Sequence, residues 1–205
     1  MKTIKILSIF AISVLFLFAS TSDASVVKGG ITFDDNAFID SVIAQSGTFN
    51  TSGGTFAQVM TDTDEGTWAY SITPGAFATF AFTDNLMVNG SGADLAVFDA
   101  GIPEYFNITI GGVTRTYLPV FAGYTAGGYN VNIAQIDLDD FGIAAGATVG
   151  QLTLSFEGVG GGDVPDFSLV GAIHSTSSVV PEPFTMILLG TGLLGLWGAR
   201  RGFKK

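Results

Sequence analysis

The residues of this chain that could do chemistry are mostly acids in predicted turns. Five of them fall in two stretches next to short apolar runs: Asp94, Asp99, Glu104, Asp163 and Asp166. Calcium takes six to eight oxygen ligands from carboxylates, carbonyls and water. If the two stretches lie at the same end of the fold, a calcium ion could bind between them. The alternative is that these acids are solvated in loops, with Asp94 and Asp166 capping turns through their side chains.

The sequence contains few other residues that could catalyse a reaction. There is no cysteine, which excludes disulfides, thiolate metal sites and cysteine nucleophiles. His174 is the single histidine, and no serine or second histidine stands around it in a recognisable motif. We therefore predict that the chain is not an enzyme and needs no cofactor other than a calcium ion at the acids. A hydrolase acting on polysaccharide is the remaining alternative, because paired carboxylates can hydrolyse glycosides.

Aromatic side chains form a second group of candidates, because rings with a polar handle can stack on sugars where they are exposed. They are Trp68, Tyr70, Tyr105, Tyr117, Tyr124 and Tyr129. The sequence pattern alone does not separate exposed rings from rings that fill a core. A carbohydrate-binding module, a calcium-binding module and a purely structural role all stay open for the body of the chain.

The charge of the body is strongly negative. Between residues 25 and 179, two basic residues, Lys28 and Arg115, stand against 16 acidic ones, which gives a net charge of −14. Nucleic-acid binding rests on basic contacts to phosphate, so we expect no nucleic-acid partner. The charge is compatible with a cationic ligand, although solubility explains it without any ligand.

The N-terminal segment has the features of a secretory signal peptide. Lys2 and Lys5 form a basic start, and residues 6–19 are apolar. A small-x-small cleavage signal ends at Ala24, so Ser25 is the predicted first residue of the mature protein. Residues 1–24 are therefore predicted to direct export and then to be removed.

The C-terminal segment combines a proline-rich start, an apolar run and a basic end. It begins with Val180, Pro181, Glu182 and Pro183, and the prolines allow a helix to start only after them. The apolar run 184–199 has 16 residues, somewhat short of the roughly 20 that a permanent membrane span needs. Basic residues at 200–205, beginning with Arg200 and Arg201, should stay on the cytoplasmic side. We predict a single short transmembrane helix over 184–199, with the body outside.

This order of features resembles the PEP-CTERM protein-sorting tail, a family also catalogued under an ice-binding-protein C-terminal label. The resemblance implies recognition by an exosortase-type membrane protease in a Gram-negative bacterium, cleavage near Pro181-Glu182-Pro183, and transfer to the outer surface or to extracellular polysaccharide. A plain C-terminal anchor is the alternative. No repeating threonine array of the kind that an ice-binding face needs is visible near Thr109, Thr114 and Thr116, so we do not predict ice binding.

Short segments of alternating apolar and polar residues recur along the body, separated by turn residues. In one of them, Leu152, Leu154 and Phe156 alternate with polar residues. About ten such segments predict an all-β fold of two packed sheets, a β-sandwich. Residues 56–60 and 68–72 are predicted as strands, whereas 38–44 fits either a strand or a short helix.

Two stretches of the body resemble the jelly-roll body of many PEP-CTERM and related bacterial surface proteins. They are 90–99, followed by Glu104, and 166–172; Asp99 stands where that family usually has glutamate. The resemblance implies a galactose-binding-like sandwich, a class in which some members carry calcium. We thus expect a β-sandwich domain over 25–174, a flexible linker over 175–179 and the sorting tail over 180–205.

Overall fold

The computed structural model describes residues 25–34, 36–161 and 164–177, and antiparallel β-strands dominate it. The strands are β1 (Ser25–Lys28), β2 (Ile31–Asp34), β3 (Ser41–Ser46), β4 (Asn50–Thr51), β5 (Ala69–Tyr70), β6 (Phe77–Ala81), β7 (Asn85–Val88), β8 (Leu95–Ala100), β9 (Phe106–Ile110), β10 (Val113–Tyr117), β11 (Val120–Ala126), β12 (Tyr129–Ile136), β13 (Thr148–Val149), β14 (Gln151–Ser155), β15 (Phe167–Ala172) and β16 (Ser175–Ser177). One α-helix, α1, covers Phe56–Thr61, and 3-10 helices cover Leu138–Phe141 and Val159–Gly161. The prediction of an all-β body is confirmed.

Two large antiparallel sheets face each other. One has the strand order β10–β9–β14–β6–β3, and the other β11–β12–β8–β15–β5–β4. Alternate residues of β9 and β14 are buried, as the sequence pattern predicts. Between the sheets, Phe106 of β9 meets Phe167 of β15 edge to face, with ring centroids 5.2 Å apart. The architecture is therefore a β-sandwich; the finer jelly-roll assignment stays a prediction.

The six-stranded sheet is covered on its outer face as well, by the hairpin of β1 and β2. The ring centroids of Phe33 in β2 and Phe98 in β8 lie 6.3 Å apart. Successive side chains of a strand point to opposite faces, so Phe98 points away from the face that carries Asp99. All six residues of β8 are consequently buried, which explains why this strand is almost continuously apolar.

Residues 56–60 form a helix, so the predicted strand is wrong there. Thr55 and Gln58 cap the start of α1 reciprocally: the Gln58 N–H donates to Thr55 Oγ1 at 3.3 Å, and the Thr55 N–H donates to Gln58 Oε1 at 2.8 Å. This capping box satisfies two amides that the first turn of a helix leaves unpaired. The helix buries Val59 and Met60. The Thr-x-x-Gln spacing was a readable helix signal that the apolar content of the segment masked.

Two further segments differ from their predictions in extent. The ambiguous segment 38–44 divides into a single bridge between Phe38 and Gly171 and the strand β3, which begins at Ser41. Within 68–72, strand β5 has only two residues. Long-range pairing decides both cases, because neither segment has a local pattern strong enough to set its own ends.

The segment predicted as a flexible linker begins as a strand. Ser175, Thr176 and Ser177 form β16, which pairs with β7 in a small sheet of order β13–β7–β16. The neighbouring His174 carbonyl accepts the Val88 N–H at 2.9 Å. The chain therefore stays attached to the sandwich through Ser177, the last residue that the structure describes.

Candidate functional site

A cleft lies where the last residues of β8, the start of β12 and the segment before β15 meet at one end of the sandwich. Its volume is about 450 Å³, within the range of small-ligand sites. Gly101 turns the chain out of β8 with φ of 105°, a conformation that side chains other than glycine rarely adopt. The lining residues are Tyr70, Gly101, Ile102, Glu104, Tyr129, Val164 and Asp166.

Asp99 is two residues before Gly101 of this cleft, is fully buried and is not among the lining residues. Its cross-strand partners are Asn132 of β12 and Phe167 of β15, which places it on the inner face of the sheet. Its carboxylate accepts the Asp166 N–H at 3.0 Å and the Asn132 Nδ2–H at 3.1 Å. Both donors are neutral, so these hydrogen bonds offset only part of the cost of burying a charge.

Two carboxyl groups at this end of the sandwich, those of Asp99 and Asp166, have raised pKa values. Burial, and secondarily the charge of Glu104, raises the pKa of Asp99 to about 8. Burial raises the pKa of Asp166 to about 6. At neutral pH Asp99 therefore keeps its proton for the most part, whereas Asp166 is largely ionised; a nearby cation would stabilise the ionised form of either group.

The two basic residues of the body lie elsewhere. Arg115 is on β10, where its Nε donates to the Asp140 carbonyl at 3.0 Å. Lys28 lines a different cavity, together with Glu65 and Tyr124. Neither supplies a hydrogen bond to Asp99, whose partners are described above.

Aromatic residues form one wall of the cleft. The ring of Trp68 lies 5.7 Å from that of Tyr70 and 5.8 Å from that of Tyr129, edge to face with the latter. Tyr129 is 47% exposed and Ile102 is 70% exposed. Trp68 thus fixes two tyrosines that line the cleft, and one of them presents about half of its surface to solvent.

Asn132 is a site residue that sequence reasoning missed. The alternation of polar and apolar residues along β12 puts it opposite Val131 and Ile133, on a face that reads as polar, but it is fully buried. Its Nδ2 donates to the Gly101 carbonyl at 3.2 Å, while its Oδ1 has no hydrogen-bond donor among the described residues. The alternation gave the wrong face because β12 is covered on both sides, by the facing sheet and by the N-terminal hairpin.

The five predicted calcium ligands do not all come together. Glu104 and Asp166 line the cleft, Asp99 is buried nearby and accepts the Asp166 N–H, and Asp163 lies outside the described residues. Asp94 precedes the opposite end of β8, about 17 Å away at roughly 3.4 Å per residue. Across residues 25–34, 36–161 and 164–177, no three His, Cys, Asp or Glu side chains gather into a group that could hold a metal ion.

Asp94 has a full set of partners at its end of the strand. Its carboxylate accepts the Gly90 N–H at 2.7 Å and the Leu138 N–H at 2.9 Å, and its Oδ1 lies 2.7 Å from His174 Nδ1. Asp94 is fully buried, whereas the His174 side chain is 39% exposed. The Asp94 carboxylate therefore connects three segments: the loop at residue 90, the 3-10 helix at residue 138 and the end of β15. It also gives His174 a structural partner.

The predicted processing sites fall largely beyond the described residues. Residues 1–24, including Ala24, and the sorting segment 180–205 are not described, while Ser25 begins β1. In the described part of the chain, helices are too short and too polar to traverse a bilayer. The predicted span 184–199 lies outside that part.

Comparison with known protein families gives a match at the C-terminus. The PEP-CTERM protein-sorting motif matches residues 179–202. The chain carries this sorting motif. The PEP-CTERM tail implies export, membrane-associated sorting and recognition by an exosortase, which is a membrane protein. No curated protein matches the chain.

Proposed function

We propose that this PEP-CTERM protein is an exported, surface-sorted component of the extracellular matrix whose β-sandwich is a carbohydrate-binding module. The observation that carries the proposal is the cleft, in which Tyr70 and Tyr129 face Glu104 and Asp166 on a domain that precedes a sorting tail. We propose a binding role rather than a catalytic one.

The chemistry of the cleft suits a sugar ring. The C–H face of a sugar packs against the apolar face of an aromatic ring, and its hydroxyl groups donate hydrogen bonds to carboxylates. A volume of about 450 Å³ is of the right order for one or two rings. Because Trp68 holds both tyrosines in place, little side-chain entropy is lost when a ligand binds.

Binding can be tested with the full-length protein, purified in mild detergent, on an array of bacterial polysaccharides and oligosaccharides. We expect Tyr129→Ala to weaken binding by about tenfold or more, because it removes an exposed ring worth roughly 1 to 2 kcal/mol. Phe77→Ala is a matched control, since Phe77 is 38% exposed on the outer face of the other sheet. Equal losses in the two variants, or no glycan bound by the wild type, would refute the module.

Processing of the tail is a separate part of the proposal. An exosortase in a Gram-negative host would cleave near Pro181-Glu182-Pro183 and release the body to the outer surface. Mass spectrometry of the protein from its native host should find a C-terminus near this motif and an N-terminus at Ser25. A chain intact through Lys205 would point to a plain membrane anchor, and Glu182→Ala should produce that intact chain if the motif is recognised.

Calcium binding is the second candidate function of the same carboxylates. It is favoured by the oxygen atoms close together here: the Asp99 carboxylate and the Gly101 carbonyl both accept from Asn132 Nδ2. Calcium takes carboxylate and carbonyl oxygens as ligands. Calorimetric titration of the metal-free protein with calcium chloride tests it; no heat and no change in melting temperature would remove calcium from the function.

Hydrolysis is tested in parallel with binding. We expect the protein to release no reducing sugar from the host's own polysaccharide. Release that disappears in Glu104→Gln or Asp166→Asn would replace the binding module with a hydrolase.

A further inference from the structure

The lining of the cleft combines aromatic rings with carboxyl groups. One wall is aromatic, formed by Tyr70 and Tyr129 with Trp68 behind them. The other polar groups are acids: Glu104 and Asp166 line the cleft, and Asp99 is buried nearby. Aromatic rings attract cations through their negative faces, and carboxylates attract them by charge. Both walls therefore favour a ligand that is positively charged.

A further feature is an unpaired acceptor in the buried layer next to the cleft. Asn132 is fully buried, its Nδ2 donates to Asp99 and to the carbonyl of the cleft residue Gly101, and its Oδ1 has no donor among the described residues. A buried acceptor without a donor is uncommon in proteins, and a buried water molecule usually meets it.

The size of the cleft decides between kinds of cation. A bare metal ion fills only a small part of about 450 Å³, and no group of three or more metal-binding acidic, histidine or cysteine side chains is gathered among the described residues. An organic ammonium fills more of the volume and uses the apolar side chains of Ile102 and Val164 as well as the acids. Its N–H groups can donate to several acceptors at once.

We propose that the cleft recognises the free amino group of an amino sugar, so that the module binds a partly or fully N-deacetylated polysaccharide. This inference rests on the proposed carbohydrate-binding function and names its ligand class. The ammonium group lies between the tyrosine rings and the carboxylates, and the sugar ring packs on Tyr129. The body, with a net charge of −14, adds long-range attraction for such a polycation.

The burial of the Asp99 and Asp166 carboxyl groups is consistent with an amino-sugar ligand. Burial raises the pKa of both Asp99 and Asp166, and Glu104 adds repulsion at Asp99. A bound ammonium would lower the free energy of the ionised carboxylates through charge-assisted hydrogen bonds. The same groups gain nothing comparable from an N-acetylated sugar, which carries no charge.

The test compares two soluble probes on the full-length protein in mild detergent, at near-neutral pH, above the pKa of about 6 of Asp166, so that this carboxylate is mostly ionised. The probes are the tetrasaccharide of glucosamine and the tetrasaccharide of N-acetylglucosamine. Isothermal titration should show the glucosamine probe binding at least about tenfold more tightly. Since the wild type alone gives this comparison, the result does not depend on any variant that fails to fold.

Variants of the lining residues then test which side chains produce the preference for the glucosamine probe. Glu104→Gln and Asp166→Asn should each remove most of the tenfold difference while leaving the weak binding of the acetylated probe. Asp40→Asn is the matched control: Asp40 is an exposed acid near the opposite end of the sandwich, and asparagine can still accept the Thr83 N–H. Tyr129→Ala should weaken both probes, whereas Tyr129→Phe should weaken neither by much.

Three outcomes would overturn the proposal. Equal binding of both probes at the cleft would leave the carbohydrate-binding function standing and refute the amine preference, whereas no binding of either probe, or of any glycan, would refute both. If oligolysine binds as tightly as the glucosamine probe, the cleft recognises positive charge rather than a sugar. Calcium that binds in the cleft and excludes the glucosamine probe would assign these carboxylates to the metal instead.

Discussion

Two buried aspartates lie near the two ends of β8, and their surroundings differ. Asp94, just before β8, accepts two backbone N–H groups and contacts His174, so each of its oxygens has a partner. Asp99, near the other end, accepts two neutral donors and lies near the acids Glu104 and Asp166. A buried carboxylate with a full set of partners holds a fold together, whereas one crowded by other acids costs stability unless a ligand arrives.

The largest expected effect concerns the pH dependence of stability at the Asp99 end. Asp99 has a pKa of about 8 in the folded protein, against 3.8 as its ordinary value, so the folded state keeps a proton that the unfolded state loses. The free energy of unfolding should therefore be highest below about pH 4 and should fall by on the order of 5 kcal/mol as the pH rises to about 8.

Urea denaturation across this range, in buffer free of ligand and divalent metal, measures that slope. Asp99→Asn carries no titrating group there, so its curve should be much flatter than that of the wild type. Parallel curves for the two proteins would contradict the assignment of the slope to Asp99. Asp166, whose pKa is raised to about 6, should leave a smaller residual slope in the variant.

The next largest effect concerns the Asp94 end. Asp94→Ala leaves two backbone N–H groups and His174 without their acceptor, so the free energy of unfolding should fall by about 3 to 5 kcal/mol. Denaturation at neutral pH measures the loss. Asp40→Ala, which removes an exposed acid together with its hydrogen bonds to the Thr83 N–H and to Asp84, should cost about 1 kcal/mol. A loss at Asp94 no larger than that of this control would break the contrast between the two ends.

A smaller effect is expected at His174. Its side chain is partly exposed and makes one contact with Asp94, so His174→Ala should lower the free energy of unfolding by about 1 kcal/mol. The same denaturation experiment measures it. If the loss matched that of Asp94→Ala, the histidine rather than the two amides would be the main partner of the carboxylate.

The smallest effect separates structure from ligand binding. Tyr129→Ala removes a ring that is 47% exposed, so we expect a stability change within about 1 kcal/mol although sugar binding weakens by about tenfold or more. Thermal unfolding and glycan binding measured on the same sample make the comparison. A large drop in stability would mean that Tyr129 supports Trp68 and the fold rather than a ligand.

Local patterns predicted the strands well where one face is apolar and the other polar, as in β9 and β14. They failed where a local signal competed with composition: the capping pair Thr55 and Gln58 sets a helix in a segment that looks apolar enough for a strand. They also failed at Asn132, because a strand covered on both sides has no solvent face to mark. The acids of the candidate site were visible in the sequence, but their grouping was not.

The sequence alone establishes that an acidic, cysteine-free, all-β body precedes a sorting tail. Charge and cysteine content can be counted, and strand periodicity and the tail motif each lie within one continuous stretch of residues. The cleft is a different kind of feature. It joins Tyr70, Glu104, Tyr129 and Asp166 from separate strands and loops, and it leaves Asp94 at the far end of β8 although Asp94 and Asp99 are near neighbours in the chain. The tertiary structure decides which of two nearby aspartates has His174 as a partner and which lies close to other acids.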